Sequence, residues 1–276
     1  MDIHLLQSTY PHVAAAMGPT AALLAGVSKL KGAQNCVLEA RVGTFVQDAK
    51  PYFKSGVDAD TFLISKILCK LETSEAWQSK TEWEEQTDRY YLLPCGLEVR
   101  TTTEGVADPS GAVHCVVSHV LASDAGHVDF KWQGGDARSL LTSESGLIMG
   151  IRVALKQVEP AFEDELPDRV DDLHIVRIKQ RKAFRYVSKH KAAAWTVNVT
   201  QIYQAATYVE ALLLLHDGKV STYELDVECK SPLEHLRATD MDCNRLAASL
   251  LLKMADLFEL PKGPRLANTA CTLVPQ

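Results

Sequence analysis

From residue 90 to residue 229 apolar and polar positions mostly alternate, the period at which successive side chains of a strand point to opposite faces. The alternation predicts strands over 90–93, 97–103, 112–121, 127–132, 146–158, 174–186, 194–207, 209–216 and 219–229, with an earlier one over 35–47. Pro94-Cys95-Gly96, Asp108-Pro109-Ser110-Gly111, Asp124-Ala125-Gly126, Gly134-Gly135-Asp136 and Asp217-Gly218 separate these runs. Such tight-turn chemistry makes an antiparallel meander the economical arrangement. Elsewhere the period lengthens toward 3.6. Phe62, Leu63, Ile67, Leu68 and Leu71 make one helical stripe after a cap at Asp58 or Asp60. Leu246, Ala247, Leu250, Leu251, Met254, Leu257 and Phe258 make another over 240–258, ended by Pro261-Lys262-Gly263-Pro264. The Ala-rich stretch 1–31 predicts one or two helical segments split at Gly18-Pro19, and 75–88 reads as a polar continuation of helix. Residues 50–56 read as a connector, and the acidic stretch 159–172, with Pro160 and Pro167, as a solvated loop.

The polar positions carry more than solubility. Glu224, Asp226 and Glu228 fall on one face of their strand, with Leu225 and Val227 on the other. Three neighbouring carboxylates repel unless cations lie opposite. Arg177, Lys179 and Arg181 supply such a row on another strand, backed by Val176 and Ile178, and Glu39 shares a face with Arg41. A solvated strand face is the plain alternative for each row alone. Together they fit a barrel turned inside out, with charged rows inward and apolar faces outward beneath the helices near Phe62 and Leu250. The expected fold class is α+β, mainly antiparallel β, as a single domain over 1–276: helical to 33, strands with inserted helices over 34–230, then a helix and tail over 231–276.

Composition narrows the setting. Hydrophobic residues make up 46% and charged residues 23%, and 29 basic against 35 acidic side chains give −6, so a broadly basic nucleic-acid coat is excluded. Any polyanion site must be local. The seven cysteines contain no CxxC pair, which argues for reduced thiols inside the cell and against structural zinc. The apolar stretch 13–27 is broken at Gly18-Pro19 and too short to span a membrane; with Asp2 present and Arg41 the first arginine, it makes a poor targeting signal. Gly134-Gly135 lacks the lysine of a phosphate-cradling loop, no histidine set reads as a metal site, and Trp83, Trp132 and Trp195 read as core or wall residues.

In order and spacing the strands from 35 to 228 resemble the fungal- and protist-type RNA 5′-triphosphatases of mRNA capping, within the triphosphate tunnel metalloenzymes. Val37-Leu38-Glu39-Ala40-Arg41-Val42-Gly43 resembles that family's Glu-x-Glu-x-basic-x-Gly, and Glu224-Leu225-Asp226-Val227-Glu228 its Glu-x-Glu-x-Glu. Arg177, Lys179 and Arg181 match its Arg-x-Lys-x-Arg strand; Trp195 through Asn198 to Thr200 resembles Trp-x-x-Asp-x-Thr; Arg100 followed by Thr102 resembles a phosphate-binding arginine; Lys131 sits where the family has a tunnel lysine. Lys131 reads equally as a hairpin-edge lysine.

The resemblance implies a closed eight-stranded tunnel, a β-barrel with a polar lumen, that removes the γ-phosphate from 5′-triphosphate RNA with Mn2+ or Mg2+. It makes Glu39 and Glu228 direct metal ligands and has Glu224 and Asp226 hold metal-bound water. Arg41, Arg100, Arg177, Lys179 and Arg181 become phosphate ligands, and Arg100, Lys131, Arg177, Lys179, Arg181, Asn198 and Thr200 catalytic groups. The chemistry needs such residues, because phosphoryl transfer requires in-line placement and neutralised equatorial oxygens. An RNA guanylyltransferase partner and a nuclear location follow from the same resemblance. So do two alternatives: a weakened relative kept as a binding or scaffold subunit, and a hydrolase of another linear triphosphate or polyphosphate. Three departures bear on that choice. Val37 replaces the first metal-binding glutamate, and Asn198 replaces an aspartate. In Gly150-Ile151-Arg152-Val153-Ala154, which resembles an Asp-x-Arg-Ile-Ser strand, the catalytic glutamate falls at Val158, with Glu159 one residue late unless a bulge turns it inward.

Overall fold

The computed structural model describes residues 8, 11–28, 36–46, 52–58, 62–79, 81–92, 98–104, 114–120, 126–131, 148–160, 173–186, 194–230, 232, 236 and 242–258. The alternating segments form β1 (Cys36–Val46), β2 (Tyr52–Ser55), β3 (Val57–Asp58), β4 (Trp77–Ser79), β5 (Glu84–Leu92), β6 (Glu98–Glu104), β7 (His114–Val120), β8 (His127–Lys131), β9 (Ile148–Pro160), β10 (Leu173–Tyr186), β11 (Trp195–Ala205) and β12 (Thr222–Lys230). The helices are α1 (Pro11–Ala14), α2 (Met17–Ser28), α3 (Phe62–Thr73), α4 (Tyr208–His216) and α5 (Cys243–Phe258). None is long and apolar enough to cross a membrane.

The strands join one antiparallel sheet in the order β2-β1-β12-β11-β10-β5-β6-β7-β9-β8, with β3 on β12 and β4 on β10. β9 also pairs with β1, from Cys36 opposite Gln157 to Phe45 opposite Ile148 without a register shift. The path of ladders leaving β1 through β12 therefore comes back to β1 through β9.

One strand parity makes the core. Leu38, Ala40, Val42, Ile151, Val153, Leu155, Val197, Val199, Leu225 and Val227 are buried in a single apolar cluster with Leu63, Ile67 and Leu71 of α3 and Leu246, Leu250, Met254 and Leu257 of α5. Each fully buried aliphatic side chain contributes about 1.5–3 kcal/mol, which makes this shell the main store of stability. Trp195 lies in it and donates its indole N–H to Ser249 Oγ at 3.0 Å. A smaller cluster, Val176, Ile178, Tyr203 and Ala211, sits under α4. The expected covers near Phe62 and Leu250 are thus in place, with α2 packed on α5 and α4 covering a second patch.

Four expectations are corrected. Residues 209–216 are not a strand but α4, nucleated by a capping box in which Thr207 and Glu210 satisfy each other's backbone N–H. Its leucine run suits helix as well as strand, and Asp217-Gly218 (Gly218 φ 64°) ends the helix instead of turning a hairpin. Residues 75–88 are not helix: they form β4 and the first half of β5, whose polar parity hid the strand pattern. The 50–56 connector contains β2, paired with β1 from Gly43 opposite Ser55 to Val46 opposite Tyr52. Gly18-Pro19 does not split the N-terminal helices; it lies in the first turn of α2, where proline's missing N–H costs nothing. The turns at Pro94, Asp108, Asp124 and Gly134, most of the acidic stretch, Trp132 and the tail beyond Phe258 lie outside the described residues.

Candidate functional site

Directly opposed residues of an antiparallel ladder share a face, so the registers gather the charged rows. Across β1 and β12, Glu39 opposes Glu228 and Arg41 opposes Asp226. Across β12 and β11, Asp226 opposes Asn198 and Glu224 opposes Thr200. Thr200 opposes Arg181 of β10, Arg177 opposes Asp88 of β5, and Asp88 opposes Thr102 of β6. On the other flank Arg41 opposes Arg152 and Val37 opposes Lys156 of β9. Glu39, Arg41, Arg100, Arg177, Lys179, Arg181, Asn198, Thr200, Glu224, Asp226 and Glu228 therefore fall on one face, opposite to the apolar parity. Lys131 has that parity too, but at the exposed end of short β8, away from the buried groups.

Cations neutralise two acids of the acidic half, Glu39 and Glu224. Lys156 Nζ donates to both Glu39 carboxylate oxygens at 2.9 Å, and Arg41 Nε ion-pairs with Glu39 Oε1 at 2.8 Å. Burial pushes the Glu39 carboxyl up, but Arg41 and Lys156 outweigh it and hold it below its ordinary value. Glu224 is likewise held low against burial, by Arg41, Lys179 and Arg177. Asp226 goes the other way. Burial, then repulsion from Glu39, pushes its carboxyl up to about 7, while Asn198 Nδ2 donates to Oδ1 at 2.8 Å.

The basic half has an acid that sequence reading missed. Lys179 Nζ donates to Asp88 Oδ2 at 2.5 Å, and Asp88 Oδ1 accepts from Thr102 Oγ1 at 2.8 Å and Gln86 Nε2 at 2.9 Å. Arg100 Nη1 lies 3.8 Å from Asp88 Oδ2. Burial opposes ionisation of Asp88, yet Lys179 and Arg100 keep its carboxyl below the usual range. Arg177 donates to Gln204 Oε1 at 2.7 Å, lies 3.9 Å from Glu224 and stacks over Tyr90 at 5.0 Å. Arg181 donates to Thr200 Oγ1 at 3.4 Å, a long bond that holds it loosely. The sequence signal for Asp88 was the row Glu84, Gln86, Asp88 and Tyr90 at strand spacing, obscured by the helical reading. Lys156 had a signal as well, two residues from Ala154 on the face of Arg152.

The donor set does not fit the divalent ion implied by the resemblance. Among the described residues no group of three or more His, Cys, Asp and Glu side chains is placed to hold a metal ion. Glu39 and Glu228 oppose each other, but the third ligand position is Val37, and the Glu39 oxygens are already engaged by Lys156 and Arg41. Magnesium or manganese wants several free oxygen ligands. The bulge that would turn Glu159 inward is not there either: β9 keeps one register against β7 from Lys156 to Pro160.

No protein-family model and no curated protein matches this sequence. Among solved structures the chain is similar to the S. pombe Pct1 RNA triphosphatase, with a TM-score of 0.56 and 13% identity over 89% of this chain and 93% of that one. The same protein in complex with the Spt5 CTD gives 0.55 at 13% identity over the same shares. The RNA triphosphatase domain of a mimivirus mRNA capping enzyme overlaps at 0.43, with 12% identity over 88% of this chain and 96% of that one. The likeness to Pct1 is one of fold: an α+β chain dominated by an antiparallel sheet of RNA-triphosphatase type.

Proposed function

We propose that the shared face lines a closed tunnel that receives the 5′-triphosphate end of RNA, and that the chain acts there as an RNA 5′-triphosphatase in mRNA cap formation. The observation that carries this reading is the convergence of Arg100, Arg177, Lys179 and Arg181 on the face that holds Glu39, Glu224 and Asp226. The pairing of β9 back to β1 supports closure, and the likeness to Pct1 supports the fold. Confinement matters to the chemistry. A triphosphate carries several charges, and fixed guanidinium and ammonium groups in a water-poor lumen neutralise its oxygens without reorganising. Arg181, loosely held, and Arg177, at the lumen wall, are placed to clamp phosphate oxygens. Glu224, kept ionised by its basic neighbours, accepts a hydrogen bond from an attacking water; Asn198 holds Asp226 in place. No divalent ion enters this reading. Cap formation would place the chain in the nucleus beside a guanylyltransferase.

A second reading, a binding subunit without turnover, is favoured by Val37 and by the engagement of Glu39 with Lys156. Phosphate release from triphosphate-ended RNA, a nucleoside triphosphate and inorganic triphosphate decides between them. Release from RNA supports the enzyme; release from inorganic triphosphate alone points to a polyphosphate hydrolase; binding without release leaves the subunit.

A further inference from the structure

We infer that the Lys156 ammonium is a built-in cation holding the place at Glu39 that a divalent ion would take, so that the lumen binds a polyphosphate without added metal. The inference rests on the reading of the lumen as a triphosphate site. Its geometry is specific. Lys156 Nζ is 2.9 Å from each Glu39 oxygen, so one ammonium bridges the whole carboxylate. Lys156 lies directly opposite Val37 across β1 and β9, and Glu39 is its diagonal neighbour. The position that the resemblance expects to be acidic is thus neutral where a cation faces it across the ladder. An acid at 37, with Glu39, Glu228 and a divalent ion, would leave one net negative charge; Val37, Glu39, Glu228 and Lys156 leave the same. The lost carboxylate and the gained ammonium together make up the two charges of the divalent ion.

Lysine suits this role because its ammonium has three donors and no acceptor. Two donors are spent on Glu39. The side chain keeps 22% exposure, so the third can reach a phosphate oxygen in the lumen. Arg41 reinforces the arrangement from β1 at 2.8 Å, its charge shared by Glu39, Glu224 and Asp226. A divalent ion would have to break the Lys156 bridge and accept Val37 as a neighbour. Arg152 plays no such part, since both its Nε and Nη2 donate to Asp129 at 2.8 Å.

The test uses the whole chain and two probes, inorganic tripolyphosphate by calorimetry and Mn2+ by electron paramagnetic resonance. Wild type is expected to bind tripolyphosphate in EDTA and to bind no Mn2+ at millimolar concentration. Lys156→Met is expected to bind tripolyphosphate roughly tenfold more weakly in EDTA, the loss of one charge-assisted contact. Val37→Glu/Lys156→Met is expected to gain a Mn2+ site. Stoichiometric Mn2+ binding by wild type, or tripolyphosphate binding by wild type only with Mn2+, overturns the inference and leaves the triphosphate reading standing. No tripolyphosphate binding under either condition overturns both. If the variants fail to fold, as read by thermal melting, the two wild-type measurements decide alone.

Discussion

Lys179 and Asp88 form a buried ion pair across β10 and β5, Nζ to Oδ2 at 2.5 Å, with the Asp88 side chain at 0% exposure. The pair ties the central base of the Arg177-Lys179-Arg181 row to a strand from outside the acidic motif. It also divides that row, because a lysine committed to a carboxylate has less to offer a ligand than its neighbours do.

Removing Asp88 therefore tests architecture first. Asp88→Asn leaves Lys179 charged and buried, and is expected to cost about 3–5 kcal/mol, read by urea unfolding. The pH dependence has a definite sign. The folded Asp88 carboxyl is held below its ordinary 3.8, so its contribution is fully present above that value and is lost as pH falls through the folded value. Wild type should lose stability on acidification through this window, and the gap between it and Asp88→Asn should narrow there. A gap that stays constant down to the lowest pH at which both fold would refute the ion pair as the source.

Binding and stability should separate along the basic row. Arg181→Ala removes a loosely held guanidinium and is expected to weaken tripolyphosphate binding roughly tenfold with little change in melting temperature. Lys179→Ala should lower the melting temperature as well, because it strands Asp88. Calorimetry and melting on both variants check this; equal stability losses at the two positions would count against it.

Gly43 closes the first motif for a steric reason. A Cβ there would collide with the Lys54 carbonyl and the Phe53 ring, and one at Gly150, its partner across β1 and β9, with the Phe45 ring. Phe45 and Phe53 meet edge to face at 5.6 Å. Gly43→Ala must shift backbone and should cost more than Gly150→Ala, which needs only a ring to move; overpacking of this kind runs about 1–3 kcal/mol. Chemical denaturation of the two variants reads the order, and the reverse order would contradict the packing.

At the outer shell, Ser249→Ala deprives the buried Trp195 indole N–H of its acceptor. The expected loss is about 1–3 kcal/mol with tripolyphosphate affinity unchanged, since the contact lies on the apolar parity. A stability change under 0.5 kcal/mol (roughly the level of a neutral surface substitution) would show that the bond contributes little.

How much of this was legible follows from what each signal depends on. Glu224, Asp226 and Glu228, and Arg177, Lys179 and Arg181, were readable because strand parity is local: a residue's face is set two positions away. α4 was misread because its decisive signal was the Thr207–Glu210 cap, against a leucine run that both periods accept. Asp88 was missed because its meaning comes from Lys179, 91 positions on. The link between Lys156 and Glu39, 117 positions apart, exists only once β1 and β9 are paired. Register carries such information, and no sequence window contains it.

The split between an apolar strand parity and a charged one has a consequence for descent. Substitutions at positions such as 37 and 198 alter the chemistry of the charged face while the cluster around Leu38, Val197, Leu225 and Leu250 keeps its packing. Where the exchanged side chain has no buried ion partner, a lineage can therefore change such a position one step at a time without dismantling the apolar cluster. Chains with different chemistry on the charged face can thus be mutational neighbours on one scaffold, and a change of trade requires no change of fold.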